Sequence, residues 1–151
     1  MARKMIPVWA LVALPFAVGS VLIVTGASDA FWPHAVFHAV YPIVVVGAIV
    51  VLLRLRSWSS SKVMRGLVIA LIIAQAAVLF GHLGEEIAVL VHGPTAAPGS
   101  LFKAPDHMMA AHVTVPGLVI SQLLLIALTI TAAIVAWRTR RSLHRQAPAD
   151  P

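Results

Sequence analysis

A pair of histidines and a short His/Glu motif are the residues of this sequence best suited to chemistry. His34 and His38 lie four residues apart, a spacing that puts both side chains on one face of a helix. His82, Glu85 and Glu86 lie within one turn of each other, so a helix brings them to a common face as well. Imidazole and carboxylate ligands from several helices suit a divalent transition metal such as zinc, iron or copper. The pattern therefore predicts a metal site.

Three further histidines have weaker claims to that site. His112 is a conditional ligand, because it lies some way into the last apolar segment. His92 and His107 lie at the ends of apolar segments, where hydration at a membrane interface is the simpler expectation. The predicted ligand set is His34, His38, His82, Glu85, Glu86 and, conditionally, His112.

The composition indicates which elements must position these side chains. The chain has 151 residues, of which 60% are hydrophobic and 11% charged, whereas soluble domains have about 25% charged residues. The apolar residues form four long runs, each near the ~20 residues needed to cross a bilayer. In lipid such runs satisfy their backbone hydrogen bonds as helices. The sequence predicts an all-α integral membrane four-helix bundle, with helices at about 6–26, 35–54, 66–91 and 107–137.

The distribution of charge predicts how the bundle is oriented. Ten of the eleven Lys and Arg residues fall in three segments, 3–4, 54–65 and 138–145, which four crossings place on one side. The positive-inside rule makes this side cytoplasmic, with both termini inside, in a multi-pass protein of the cell (inner or plasma) membrane. Six of the seven histidines then lie in the outer half. Because the basic residues flank apolar runs and form no separate domain, nucleic acid is not an expected partner, whereas the lipid bilayer is.

The absence of cysteine excludes several kinds of chemistry. With no Cys in the chain, disulfides, thiolate metal sites and covalent haem attachment through Cys-x-x-Cys-His are all ruled out. Any metal must therefore be held by nitrogen and oxygen ligands, or by the softer thioether of methionine.

The chain is predicted to be a single transmembrane domain, residues 1–141, with a flexible cytoplasmic tail at 142–151. The outer loop 93–105 is rich in Pro and Gly, so it cannot form a continuous helix and is expected to cap the bundle. The first run has the basic start of a signal peptide, but it is long for one and Pro15 interrupts it. The sequence favours its retention as a helix.

Depth in the membrane supports a site shared by two helices. His38 and His82 lie sixteen and seventeen residues from the basic inner ends of their helices, at Arg54 and Arg65. At ~1.5 Å per residue both lie roughly 25 Å above the inner boundary. His112 is twenty-six residues from the inner end of its helix, or about 39 Å, so tilt or a kink must lower it to the same level.

Two resemblances suggest different roles for these residues. The stretch Gly-His-Leu-Gly-Glu-Glu-Ile, residues 81–87, resembles the signature of small bacterial membrane proteins named for a His-x-x-Glu-Glu motif, a family of unassigned function. That resemblance implies roles for His82, Glu85 and Glu86 but no reaction. The plan of four helices is also similar to four-helix membrane b-type cytochromes, and this implies haem b with His38 and His112 as axial ligands.

Three functional hypotheses follow from the sequence. The first is a metal-binding membrane protein, which as an oxidoreductase would use the metal to activate water or dioxygen. The second is a non-catalytic subunit or structural protein, with another membrane protein or a second copy of the chain as its partner. The third is electron transfer through haem b.

Overall fold

The computed structural model describes residues 2–59, 61–92 and 103–146, and within these ranges the chain is helical with no strand. A short 3-10 turn at Ala27–Asp29 separates the first two helices. The prediction of an all-α fold is confirmed. The long helices are α1 (Ala2–Val24), α2 (Phe31–Trp58), α3 (Lys62–His92) and α4 (Pro105–Gln146).

All four helices are long and apolar enough to cross a membrane. Their outward faces carry exposed aliphatic and aromatic side chains along most of their length, which suits contact with lipid rather than water. Proline is present inside α1, α2 and α4, as membrane helices tolerate when neighbouring groups satisfy the freed backbone. The chain is therefore a multi-pass membrane protein by length and composition of its helices.

The ends of two helices differ from those that the sequence predicted. Helix α2 begins at Phe31, before the predicted start at 35, because Pro33 is acceptable in a first helical turn. Helix α4 continues to Gln146, past the predicted end at 137, since the Arg-rich segment has good helix propensity. The start of the predicted flexible tail is thus helical. Residues 93–102 and 147–151, which include most of the predicted cap, lie outside the described residues.

Glycine allows α3 to approach α4 closely. A Cβ atom placed on Gly81 would meet the Thr114 hydroxyl and lie 2.8 Å from the Thr114 backbone nitrogen. A Cβ on Gly117 would lie 2.9 Å from a methyl group of Val78. Small residues at such crossings let the backbones of membrane helices pack against each other. These contacts fix the register of the two antiparallel helices and therefore decide which of their polar side chains meet.

The interior of the bundle changes character along its length. Toward the basic ends the core is aliphatic, with Leu52, Leu71, Leu125 and Leu128 fully buried. Toward the opposite ends of the helices, polar side chains take the place of the aliphatic ones on the same inward faces. The bundle therefore has an aliphatic core near its basic ends. Toward the opposite ends it has a polar interior, here called the chamber.

Candidate metal centre

A polar stripe on α4 faces the polar stripe on α3. His107, Thr114 and Ser121 recur every seven residues, which keeps them on one face of the helix, and all three are buried. On α3, Gln75 and His82 share the same spacing. At the ends of the stripes nearest the basic residues, Gln75 Nε2 donates a hydrogen bond of 2.8 Å to Ser121 Oγ. Both stripes extend from this contact toward the ends of the helices that lie opposite the basic ends.

His34 joins α2 to the start of α4. Its Nδ1 lies 2.9 Å from the backbone carbonyl of Ser28, in the 3-10 turn that precedes α2. Its Nε2 lies 3.0 Å from Nε2 of His107. Since a carbonyl only accepts, His34 carries its hydrogen on Nδ1, and its Nε2 is the acceptor nitrogen of the ring. The turn therefore holds His34 in the tautomer that binds a metal through Nε2.

His38 joins α2 to α3 at both of its ring nitrogens. Its Nδ1 lies 2.9 Å from Nδ1 of His82, and its Nε2 lies 3.3 Å from Oε2 of Glu85. The same carboxylate oxygen lies 3.5 Å from Nε2 of His107. Glu85 thus connects histidines from α2 and α4 through one oxygen atom.

Two overlapping groups of possible ligands in the chamber share His38 among the described residues. The ligand atoms of His34, His38 and His107 all lie within 4.8 Å of one another, and so do those of His38, His82 and Glu85. Oε2 of Glu85 links the two groups, because it lies close to Nε2 of both His38 and His107. A tetrahedral site with metal–ligand bonds of about 2.0–2.1 Å has ligand atoms roughly 3.3 Å apart. The observed separations of 3.0, 3.3 and 3.5 Å cluster around that value.

The cluster is almost completely removed from the surface. The exposed fractions are His34 4%, His38 4%, His82 0%, Glu85 6% and His107 2%. Two buried atoms, Nε2 of His82 and Oε1 of Glu85, have no hydrogen-bond partner among the described residues. A buried polar atom without a partner costs about 1–3 kcal/mol. Their presence indicates a place for a bound group.

The structure brings together four of the six residues predicted as ligands: His34, His38, His82 and Glu85. Glu86 is only half-buried and belongs to neither converging group, because it points one helical step, about 100°, away from Glu85. His112 is also outside both groups. It is exposed, its Nδ1 bonds the Met108 carbonyl of its own helix, and it lines a different groove, so it cannot pair with His38 across a haem.

Sequence reasoning missed His107. The expectation that His107 is hydrated at the interface was wrong, because His107 is 2% exposed and its Nε2 lies 3.0 Å from Nε2 of His34. The repeat of polar residues at 107, 114 and 121 was the signal that could have found it. His92, by contrast, is exposed and pairs with Asp106 at 3.0 Å, which connects the end of α3 to the start of α4.

Comparisons of the chain with known protein families, with curated proteins and with solved structures returned no match.

Proposed function

We propose that this protein binds one divalent transition metal ion inside the membrane, through His34, His38, His107 and Glu85. The observation that carries the proposal is the meeting of His38 and His107 on one carboxylate oxygen of Glu85, at 3.3 and 3.5 Å. His34 adds a third imidazole, 3.0 Å from His107, already in the required tautomer. Side chains from facing helices commonly build metal sites in bundles in this way.

A metal explains why ionisable groups are placed here at all. Charged and ionisable side chains are costly within a membrane span and usually serve a function. Among the described residues that line the adjoining cavity, none is Lys or Arg, so no protein cation neutralises Glu85. A divalent ion supplies that charge and takes up the imidazole lone pairs. Burial of the cluster then becomes favourable for the holoprotein.

His82 fits the role of a positioning residue better than that of a ligand. A metal on Nε2 of His38 leaves a hydrogen on Nδ1, which can be donated to Nδ1 of His82 at 2.9 Å. Metal-bound histidines usually donate their second ring nitrogen to such a partner, which fixes the ring and raises its basicity. The alternative set of His38, His82 and Glu85 makes His82 a direct ligand, and mutagenesis separates the two.

Three imidazoles and one carboxylate accommodate zinc, iron or copper. Redox chemistry at the metal itself needs iron or copper, because zinc does not change its oxidation state. The geometry favours such a site over haem b, since Nε2 of His38 already faces Glu85 at 3.3 Å. The resemblance to the His-x-x-Glu-Glu family points to the same turn of α3.

Metal analysis of the purified protein tests this proposal. We expect about one metal ion per chain after purification without chelators, by elemental mass spectrometry, as a high-affinity buried site requires. The His112→Ala variant should retain the same amount, because His112 bonds the Met108 carbonyl of its own helix and lies outside both ligand groups. Iron or copper at this stoichiometry supports redox chemistry at the metal, whereas zinc excludes it there. Protein that remains metal-free after incubation with all three metals contradicts the proposal.

We further propose that both termini are cytoplasmic and that the metal centre lies in the outer half of the membrane. The support is the grouping of Lys and Arg at the inner ends of the helices. The natural chain has no cysteine, so single cysteines report topology without background. We expect Asp29→Cys to react with a membrane-impermeant maleimide added to intact cells, and Ser57→Cys to react only after lysis. The reverse pattern would invert the orientation.

A further inference from the structure

A cavity of about 290 Å³ adjoins the metal centre, near the lower end of the ~300–1,000 Å³ typical of ligand pockets. Helices α1, α2 and α4 supply most of its wall, which is largely aliphatic and aromatic. Its polar groups come mainly from the residues of the metal centre and its surroundings. His38, His82 and Glu85 lie on the α2 and α3 side of the cavity. The cavity therefore combines an apolar body with a polar end.

The cavity lies in the outer half, between α1 and α4. In the inner half these helices are joined by two polar contacts. Trp9 Nε1 donates to Thr129 Oγ1 at 2.9 Å, and Gln122 Nε2 donates to the Val12 carbonyl at 3.0 Å. Closer to the outer end, exposed apolar side chains of both helices border the cavity, namely Phe16, Ile23, Val115 and Val119. Because these residues belong to membrane-spanning segments, the opening between α1 and α4 faces lipid.

We infer that this cavity binds a lipid-soluble molecule with a long apolar body and one oxygen-bearing head, which enters from the bilayer between α1 and α4. The head would meet His82 and Glu85, and the body would lie along α1 and α4. Any reaction of the bound molecule rests on the proposed metal centre, because the head would lie beside the metal ion. Binding itself depends only on the cavity.

The atoms at the polar end favour such a head. Nε2 of His82 and Oε1 of Glu85 belong to residues that line the cavity, and both atoms lack a hydrogen-bond partner among the described residues. A head with oxygen atoms can pair with the imidazole or complete the coordination of the metal. A phosphate head is disfavoured, because it stays anionic and no Lys or Arg lines the described wall of the cavity, whereas a fatty acid can enter with its carboxyl group protonated and neutral. Two sources share the required chemistry, a quinone ring on an alkyl chain and a long-chain fatty acid.

Photo-crosslinking distinguishes these sources and tests the site. Two probes are used on the full-length protein in phosphatidylcholine nanodiscs: a benzoquinone with a diazirine on a ten-carbon tail, and palmitic acid with a diazirine on its chain. We expect one probe, competed by its unlabelled parent, to label segments 16–23 and 111–119, which border the cavity. The probe that labels them identifies the head.

A pair of tryptophan variants supplies the matched control. Val119 borders the cavity and is 45% exposed, whereas Val46 of α2 is 47% exposed and does not border it. Val119→Trp should lower competed labelling about tenfold, equivalent to ~1.4 kcal/mol, and Val46→Trp should leave it unchanged. Ala111→Leu narrows the cavity from a half-buried position and gives the same readout if Val119→Trp does not fold.

Equal labelling of Val119→Trp and Val46→Trp would overturn the inference. Labelling that spreads over the lipid-facing surfaces of the helices, and that the unlabelled parent does not compete, would overturn it as well. Metal content of the same samples separates the two proposals. Specific labelling of metal-free wild-type protein upholds the cavity and rejects the metal centre. A full complement of metal without specific labelling rejects the cavity alone.

Discussion

Replacing His38 by alanine is expected to abolish stoichiometric metal binding. His38 belongs to both groups of converging ligands, so every arrangement of the centre loses a ligand with it. Structural zinc sites bind with about 10–16 kcal/mol, so one of four ligands accounts for roughly 3–4 kcal/mol, or about 100- to 1,000-fold in affinity. Chelator competition in detergent solution, followed by elemental analysis, measures the loss. His112→Ala is the control, since His112 lies outside both groups.

The variants of His82 decide which set of ligands is correct. If His82 positions His38, His82→Ala should weaken binding about 10- to 100-fold, as loss of a partner that orients a ligand usually does. His82→Asn should recover much of the affinity, because its amide oxygen can take the place of Nδ1 as acceptor. A His82→Ala variant as defective as His38→Ala, together with full binding by His107→Ala, would assign the metal to His38, His82 and Glu85 instead.

Substitution of Gly81 by alanine is expected to cost the protein both stability and metal affinity. The added methyl group would meet the Thr114 hydroxyl and backbone, with 2.8 Å to the nitrogen and 3.0 Å to Cα. Backbone atoms cannot rotate away, so α3 and α4 must separate, at about 3 kcal/mol, the upper end of the usual cost of overpacking. The shift also draws Glu85 away from His107, now 3.5 Å apart. Unfolding in mixed micelles and chelator competition measure the two effects.

Gly66 offers the matched control on the same helix. A Cβ atom there meets nothing within 4 Å, so Gly66→Ala should stabilise the helix by about 0.5–1 kcal/mol through propensity alone. Equal effects of the two substitutions on the free energy of unfolding would show that α3 and α4 do not approach closely at Gly81. If Gly81→Ala is destabilised but binds the metal with unaltered affinity, the close contact of α3 with α4 at Gly81 does not determine the geometry of the metal centre.

The helical membrane architecture could be predicted because it depends on local properties. Long apolar runs and the placement of Lys and Arg are visible in any window of the sequence. The same holds for residues that share a face of one helix, such as His34 with His38 and His82 with Glu85. Spacing along a helix fixes these relations whatever the helix packs against.

The completed site could not be predicted, because it depends on contacts between helices. Whether His107 or His112 meets Glu85 is decided by the register of α4 against α3, and close contacts at Gly81 and Gly117 set that register. The position of His112 along its helix gives its height in the membrane, but it does not give the direction in which the side chain points around the helix axis. His107 was assigned to the interface because a helix end usually lies in water, and no sequence rule shows that it is buried against His34.

We propose that three imidazoles and one carboxylate surround a single metal ion, and X-ray absorption spectroscopy of the metal-loaded protein tests this assignment most directly. We expect four nitrogen or oxygen neighbours at about 2.0–2.1 Å, with the outer-shell scattering of three imidazole rings. Loss of one imidazole in His107→Ala should be visible in the same spectrum. A first shell of oxygen atoms without imidazole scattering, or a spectrum unchanged in His107→Ala, would contradict the assignment.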